Sequence, residues 1–593
     1  MALDLDRLCQ SIRRSRKSLE FFRDQRREMV RQYVGQHWSE EGSPLPVPAN
    51  LISLYVSVMA RNLVAKTPRV LLSTFDRSVQ STVKLMELWL NQEAKRMRLG
   101  NALQRVVLDA LFSIGVAKVA LASPDEAAAS GWGLRAGQPF VRAVDLDDFA
   151  FDPHARDFAE AGWVAHRRRV PLDAVKDSKI YSKTRKDLVP SDDPPHNREG
   201  DERIGMLGRG YQGLQDEWED MVELWEVYLP RERLVVTLAE DHVAGAMTLG
   251  KGGKAEALRV QRWIGPEAGP YHVLGFGTVP GSAMPKGPVQ DLIDLHLCVN
   301  ALYRKLMDQA ERQKEVLPVP GSASADGETL VKTHDGEAFR CERADMLKPV
   351  SFGGPHQLNV LMAEKLGMMF KSLGGNLDLL GGLAPQSNTA KQDTLLNENA
   401  SAGVADMQDR TVDVASSVAS ALCWYYWHDP VSVQRVSVPL PPDRSFPDEI
   451  TPERRQKGRF EDLDLRVDPY SLRHATPQSK LATLDRMVQG VILPLAPLLQ
   501  QQGIQFDIDA YLQKYAAYTD TPDVHDLVNV REPPPPMETA GTRPDEPTVS
   551  PPPGERRYVR ESVNMRTDRG DALNMMNAMA GVDPGGSPNG SAA

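Results

Sequence analysis

Apolar residues recur at helical spacing over most of the chain, and the exceptions mark its organisation. The first forty residues read as one helix. Its cationic positions (Arg13, Arg14, Arg16, Lys17, Arg23, Arg26, Arg27, Arg31) are interleaved with Leu19, Phe21, Phe22, Met29 and Val30. Residues 49–66 are apolar at the same period and stop before Pro68, which disfavours helix at the residue preceding it. A longer helix is predicted over 77–112, ended by Gly115, and VAKVAL (116–121) then alternates as a strand does. From 138 to 280 short β-rich runs such as WVAHRRRV, VELWEVYL and YHVLGFG are separated by Gly, Pro and Asp, with a polar insertion at about 182–216. Strands in this order, without alternating helices, predict an α+β region and not a βαβ repeat.

Beyond residue 286 the period returns to 3.6. Residues 287–314 form a long amphipathic helix with Pro288 in its first turn and Val289, Leu292, Ile293, Val299, Leu302, Tyr303, Leu306 and Ala310 on one stripe. A Pro/Gly-flanked, β-like module follows at 315–352, with HDG (334–336) as a hairpin turn. A second helix covers about 355–373. Two helices thus bracket a small β unit. GGNLDLLGGLAPQSN (374–388) is a Gly-rich loop. Residues 389–427 contain no proline and one glycine, Gly403, so they can be a single helix of roughly 60 Å at ~1.5 Å per residue. A helix that long with a thin apolar stripe bridges elements or packs against copies of itself. Strands at 431–440 and 460–467 lead through DPYS (468–471) to a helical region at 477–520. Nine prolines between 533 and 553 then announce a tail that buries too little to fold alone.

The chain has 593 residues, 70 basic and 80 acidic, for a formal charge of −10. That balance argues against a surface that grips nucleic acid by neutralising phosphates, though not against one that lets DNA slide past. Cys9, Cys298, Cys341 and Cys423 are too scattered for a zinc site or a disulfide framework, so four reduced thiols are expected. The first residues lack an apolar signal core, and no run reaches the ~18–20 apolar residues of a membrane span. A soluble intracellular chain is expected.

The candidate chemistry is thin. GAMTLGKG (245–252) matches Gly-x4-Gly-Lys at Gly245, Gly250 and Lys251, but Gly252 stands where a hydroxyl should ligate magnesium, and no helix follows promptly. Gly275, Gly277 and Gly281 miss the dinucleotide spacing by one residue. Asp145, Asp147, Asp148, Asp152 and Asp157, with His154 nearby, offer oxygen ligands to a hard cation, yet turn chemistry accounts for them equally well. His166, His296 and His428 stand singly. WYYW (424–427) reads as a packing cluster before it reads as a base-stacking platform. No catalytic residue, cofactor site or metal site is assigned, and an enzyme is not expected.

The order of long helix, small β module, returning helix, Gly-rich loop and very long helix resembles the portal, or head-to-tail connector, protein of tailed bacteriophages. The stretches AVDLDDFAFDPHARDFAEAGWVAHRRRV (143–170), PVQDLIDLHLCVNALYRKLMDQA (288–310) and RVDPYSL (466–472) agree with it. The resemblance covers about 10–530 and implies a mainly helical α+β subunit of a closed ring, usually a dodecamer, at one capsid vertex. It implies a wing (1–286 and 428–475), stem helices (287–314 and 355–373) and a clip (315–354). It also implies a tunnel loop (374–390), a long helix (391–427), a crown (476–530) and a disordered tail (531–593).

Gln386, Ser387, Asn388, Lys391 and Gln392 would then face the DNA channel. Lys332, His334, Asp335, Arg340 and Arg343 would meet the tail adaptor, and Leu292, Val299, Leu302, Tyr303 and Leu306 would pack between stem helices of neighbouring subunits. The implied partners are further copies of the chain, double-stranded viral DNA, the terminase large subunit, tail adaptor and head-completion proteins, and the major capsid and scaffolding proteins, with no membrane. The implied location is the virion, after assembly in the bacterial cytoplasm. The competing readings are another virion structural protein, such as a tail or adaptor component, and a nucleotide-binding enzyme using Gly245–Lys251 or the Asp145–Asp152 cluster.

Overall fold

The computed structural model describes residues 3–35, 49–130, 133–190, 220–244, 256–316, 319, 324–334, 337–338, 340–341, 350–375, 377–380, 390–440, 444–472, 481, 485–492 and 494–495. The chain divides into two compact units, residues 1–476 and 477–593. In the second, the described residues include a short π-helix, Val488–Ile492. The first mixes helix and strand throughout.

Helix α1 (Leu5–Val34) begins where Asp4 accepts from the Arg7 amide at 3.1 Å and ends at Gly35, whose φ of 80° lies in the left-handed region. Helix α2 (Leu51–Leu63) is capped by Asn50, which accepts from the Ser53 amide at 2.9 Å. The expected single helix over 77–112 is two helices, α3 (Gln80–Arg96) and α4 (Leu99–Phe112). Arg98 between them takes φ 52°, which breaks the helical ladder. The turn lets Gly100 approach the Thr67 backbone so closely that a Cβ would lie 2.9 Å from its nitrogen. Propensity along 77–112 carries no trace of that long-range contact.

Among the described residues there are sixteen strands. They are β1 (Val70–Thr74), β2 (Gly115–Leu121), β3 (Pro139–Val144), β4 (Phe149–Phe151), β5 (Val164–Pro171), β6 (Met221–Leu229), β7 (Leu234–Ala239), β8 (Arg259–Arg262), β9 (Tyr271–Leu274), β10 (Gly277–Val279), β11 (Ser282–Lys286), β12 (Lys314–Val316), β13 (Val350–Phe352), β14 (Gln434–Leu440), β15 (Arg444–Ile450) and β16 (Leu463–Val467). Two antiparallel sheets dominate, one of order β3-β2-β9 and one of order β4-β5-β6-β7-β8. Alternation fixes their faces. Trp225, Val227, Ala165 and Leu238 share one face of the larger sheet and pack against Leu8, Cys9 and Ile12 of α1. Gly275–Gly277 joins β9 to the β10–β11 hairpin, so the GFG signal is a turn feature.

The largest core gathers α2, α3, α4 and the later half of helix Ala390–Trp427. That helix runs 38 residues, as its lack of proline predicts. Its end is a packing cluster: Tyr426 meets Trp89 edge-on at 4.3 Å, and Tyr425 and Trp427 are buried with it. Pairing of β1 with β16 ties residues almost 400 apart, with Val70 opposite Val467.

Helix Pro288–Glu311, with Pro288 at its first position, is rooted in the same core by Val289 and Leu292. It leads through β12, whose partner β13 returns the chain to helix Gln357–Leu373. Gly353 and Gly354 take φ 82° and 105° at that return, where Gly353 abuts the Arg312 carbonyl. Inside this module the expected all-β reading needs correction, because Ser324–Lys332 is a helix. Thr329 and Thr333 back-bond to the carbonyls of Ala325 and Thr329, and Gly327 fits against Val319. Just beyond that helix the Glu337 N–H donates to the His334 carbonyl at 3.1 Å, while Asp335 and Gly336 of the expected HDG turn lie outside the described residues.

Candidate subunit-contact site

Two features that read as separate candidates in the sequence turn out to be partners. The cationic residues of α1 face the acidic stretch 145–148, not solvent alone. Arg26 binds Asp109 of α4 (Nη2 to Oδ1, 3.2 Å) and Asp145 (Nη2 to Oδ2, 3.0 Å). Arg23 donates to the carbonyls of Leu146 and Phe149 at 3.3 and 3.2 Å, and Arg27 lies 3.9 Å from Asp147. Arg16 pairs with Glu240 at 2.7 Å. The rest of the acidic cluster does turn work: Asp152 accepts from the His154 and Gly162 amides, and Asp157 from Ala159. Arg13, Arg14 and Lys17 remain exposed.

A second charged layer lies between the two large sheets. Lys118 of β2 is buried and bridges Glu126 (2.9 Å) and Glu226 (3.0 Å). Arg168 pairs with Asp125 at 2.7 Å and donates to the Tyr181 hydroxyl at 2.9 Å. Burial pushes the Glu126 carboxyl up, but Lys118 and Arg168 outweigh it and hold it well below the ordinary range. His166 contacts the Tyr271 hydroxyl at 2.7 Å, and burial followed by the Lys118 and Arg168 charges keeps its imidazole neutral. The sequence treats His166 as a lone histidine, whereas the fold brings one ligand atom each from Glu126, His166 and Glu226 within 4.8 Å of one another. The cation already bound to both carboxylates is the Lys118 ammonium, which a metal would have to displace. His296 is buried, and burial pushes its imidazole down to about 4; Asn300 donates to the His296 carbonyl at 2.9 Å and pins the Ala49 backbone.

The third feature is apolar. On helix Gln357–Leu373 the inward face is Ala363 and Phe370, both buried. The outward face carries Leu358, Leu361, Met362, Met368, Met369 and Leu373, from 49% to 67% exposed. Counted from Leu358 they fall three, four, ten, eleven and fifteen residues on, along one stripe interrupted by Lys365 at the seventh. Nothing among the described residues covers it. The sequence carried a signal for this, since HQLNVLMAEKLGMMFKSL has apolar residues on more than one face, more than an ordinary surface helix needs.

Placement of the other sequence candidates is uneven. Leu292 and Val299 are covered by the chain itself, at 3% and 0% exposure, so they are unavailable to a neighbouring subunit. Leu302, Tyr303 and Leu306, farther along the same helix, are half-buried. Lys332 is exposed and near Glu328, and His334 and Arg340 are exposed. Asp335 and Arg343 lie outside the described residues, as do Gln386, Ser387, Asn388 and the Gly245–Lys251 loop. Lys391 and Gln392 fall in the first turn of helix Ala390–Trp427. Among the described residues no helix is long and apolar enough to cross a membrane.

A family model described as the phage SU10 portal protein matches residues 134–413. The resemblance is to a phage portal protein. The matched stretch holds both large sheets from β3 onward, the two helices around the 314–352 module and the first part of helix Ala390–Trp427. It supports a structural role in a phage head, and portal proteins are structural rather than enzymatic. Among solved structures, a chain from "Virion of native gene transfer agent (GTA) particle" is 12% identical, with 80% of this chain and 94% of that one covered, at a TM-score of 0.29. No curated protein matches.

Proposed function

We propose that this chain is the portal subunit of a tailed phage, and that copies of it close into a ring, through which double-stranded viral DNA is packaged and ejected. The observation that carries the reading is the uncovered stripe of helix Gln357–Leu373 inside the family-matched stretch. Six large apolar side chains on one helix face mark a protein–protein contact. Occupancy by a second copy follows from the neighbouring leg. The outward face of helix Pro288–Glu311 presents Asp291, Asp294, Cys298, Ala301, Lys305 and Asp308 with Leu297 and Met307, three carboxylates to one lysine among small and apolar residues. Lys365 sits in the middle of the apolar stripe, so the two faces complement each other in charge and relief. One face meeting a different face is a heterologous contact, which closes a ring when the rotation permits.

In this reading Pro288–Glu311 and Gln357–Leu373 are stem helices, the module between them is the clip for tail adaptor and head-completion proteins, and residues 374–390 form the tunnel loop. Residues 476–530 form the crown. The net acidic chain suits a channel that must not hold its DNA, because attractive phosphate contacts repeated around a ring would slow passage. The terminase large subunit would supply the motor, with capsid and scaffolding proteins around the ring.

Native mass spectrometry of the purified chain, with electron-microscopy class averages of the same sample, tests the reading. A large ring with a central channel is expected. A stable monomer or dimer across a range of salt would overturn it.

A further inference from the structure

The charged layer between the sheets opens to solvent at the β8 edge, as a cavity of about 260 Å³. Lys118, Glu126 and Glu226 form its floor, while Arg259, Trp263 and Ile180 stand nearer its mouth. The two floor carboxylates are already bound to Lys118. Arg259 and Arg262, by contrast, have no ion-pair partner among the described residues. Lining cations (Lys118, Arg259, Arg262) exceed lining carboxylates (Glu126, Glu226) by 3 − 2 = 1, on a chain whose total charge is −10.

The strand that carries both arginines is also the end of its sheet. β8 pairs with β7 on one side, and no described strand pairs with the other. Its flanks are apolar and exposed: Ile180 at 41%, Val260 at 53% and Ile264 at 61%. The Ile180 loop is fixed beside β8 by the Ser182 amide, which donates to the Leu258 carbonyl at 2.7 Å. An unpaired edge offers main-chain donors and acceptors at strand spacing. Arg259 and Gln261 alternate into the cavity, so the same period sets side-chain positions for an added strand.

We infer that the β8 edge, with the cavity beneath it, docks an extended acidic peptide of a partner protein by strand addition. A carboxylate on its cavity side would meet Arg259, one on its other side Arg262, and one apolar side chain on the cavity side would enter against Trp263 and Ile180. A peptide is favoured over nucleic acid because an open strand edge is useful only to another polypeptide backbone. The inference does not rest on ring closure.

The test is fluorescence anisotropy with the full chain and a fluorescein-labelled seven-residue peptide, Val-Glu-Glu-Phe-Glu-Glu-Val, which as a strand carries glutamates on both faces and the phenylalanine between two of them. Saturable binding is expected, weakened about tenfold or more by Arg259→Glu with Arg262→Glu, as truncation or reversal of desolvated charge contacts does. Both arginines lie at the surface edge, and an unchanged circular dichroism spectrum checks that the variant folds. A peptide of equal charge with proline at alternate positions should fail to bind, because it cannot pair as a strand. No binding of the first peptide, or equal binding of the proline peptide, would overturn the inference. Full competition by a single-stranded oligonucleotide of equal charge would overturn it in favour of simple phosphate attraction.

Discussion

Arg26 of α1 and Asp109 of α4 meet with Nη2 and Oδ1 3.2 Å apart, and Asp145 closes on the same guanidinium from the sheet side. Three elements distant in sequence thus share one charge. Burial pushes the Asp109 carboxyl up to about 6 from its ordinary 3.8, although Arg26 pulls it down. A carboxylate raised in the folded state binds more protons there than in the unfolded chain, so its contribution falls as pH rises from about 4 to about 6 and stays flat above.

Asp109→Asn should therefore remove a pH dependence. The stability of the natural chain minus that of the variant is expected to drop by about 2 kcal/mol between pH 4 and pH 7. Paired urea titrations at several pH values check it, and parallel curves would show that Asp109 titrates normally.

Removing the guanidinium is a harsher change. Arg26→Ala should cost about 3–5 kcal/mol at pH 7, because two carboxylates lose a partly buried counter-ion. Arg31→Ala on the exposed end of the same helix should change stability by less than about 0.5 kcal/mol, and the two unfolding midpoints compare them directly.

Lys118→Met should strand Glu126 and Glu226 between the sheets, with a loss of about 3–5 kcal/mol. Adding Glu126→Gln should recover part of it. A double-mutant cycle by chemical denaturation measures the recovery, and strict additivity would contradict the bridging geometry.

Met362→Asp with Met369→Asp changes side chains that are 56% and 52% exposed. The subunit should keep its unfolding midpoint, and the ring should be lost from native mass spectra. A ring that persists would move the contact elsewhere.

Cysteine labelling reads the same surface from the facing leg. Cys298 is exposed and should alkylate quickly in the isolated subunit, whereas Cys9 and Cys423 are buried, with thiols that burial pushes up to about 11 and about 12. Assembly should slow Cys298 alone, as quantified by peptide mass spectrometry.

Local patterns were legible where local physics decides. Proline at the first turn, an alternating VAKVAL and a proline-free run of 38 residues all became the elements they predict. The errors lie where distant contacts decide. Nothing in 77–112 announces that Arg98 turns left-handed to bring Gly100 against Thr67. ETLVK reads as strand by composition, yet it packs as helix through Gly327 and Val319. The cationic helix and the aspartates of 145–148 were each visible, but their mutual pairing was not, because charge complementarity across 119 residues leaves no periodic trace. The candidate contact helix was found as a helix, while its outward face emerged only once Phe370 and Ala363 showed which side was taken.

Helix Pro288–Glu311 has its last buried residue at Asn300, so its remaining turns extend past the core. Mechanically it is a beam fixed at one wall, loaded at the free end by the 314–352 module and braced by the returning helix. At about 1.5 Å per residue the overhang from Asn300 to Glu311 is some 16 Å. Amide exchange in an isolated subunit should follow that beam: slow at Leu292 and Val299, and progressively faster toward Glu311, since opening free energy tracks local burial. Neighbours on both sides would stiffen the free end, turning a row of separate cantilevers into a hoop whose rigidity belongs to no single chain.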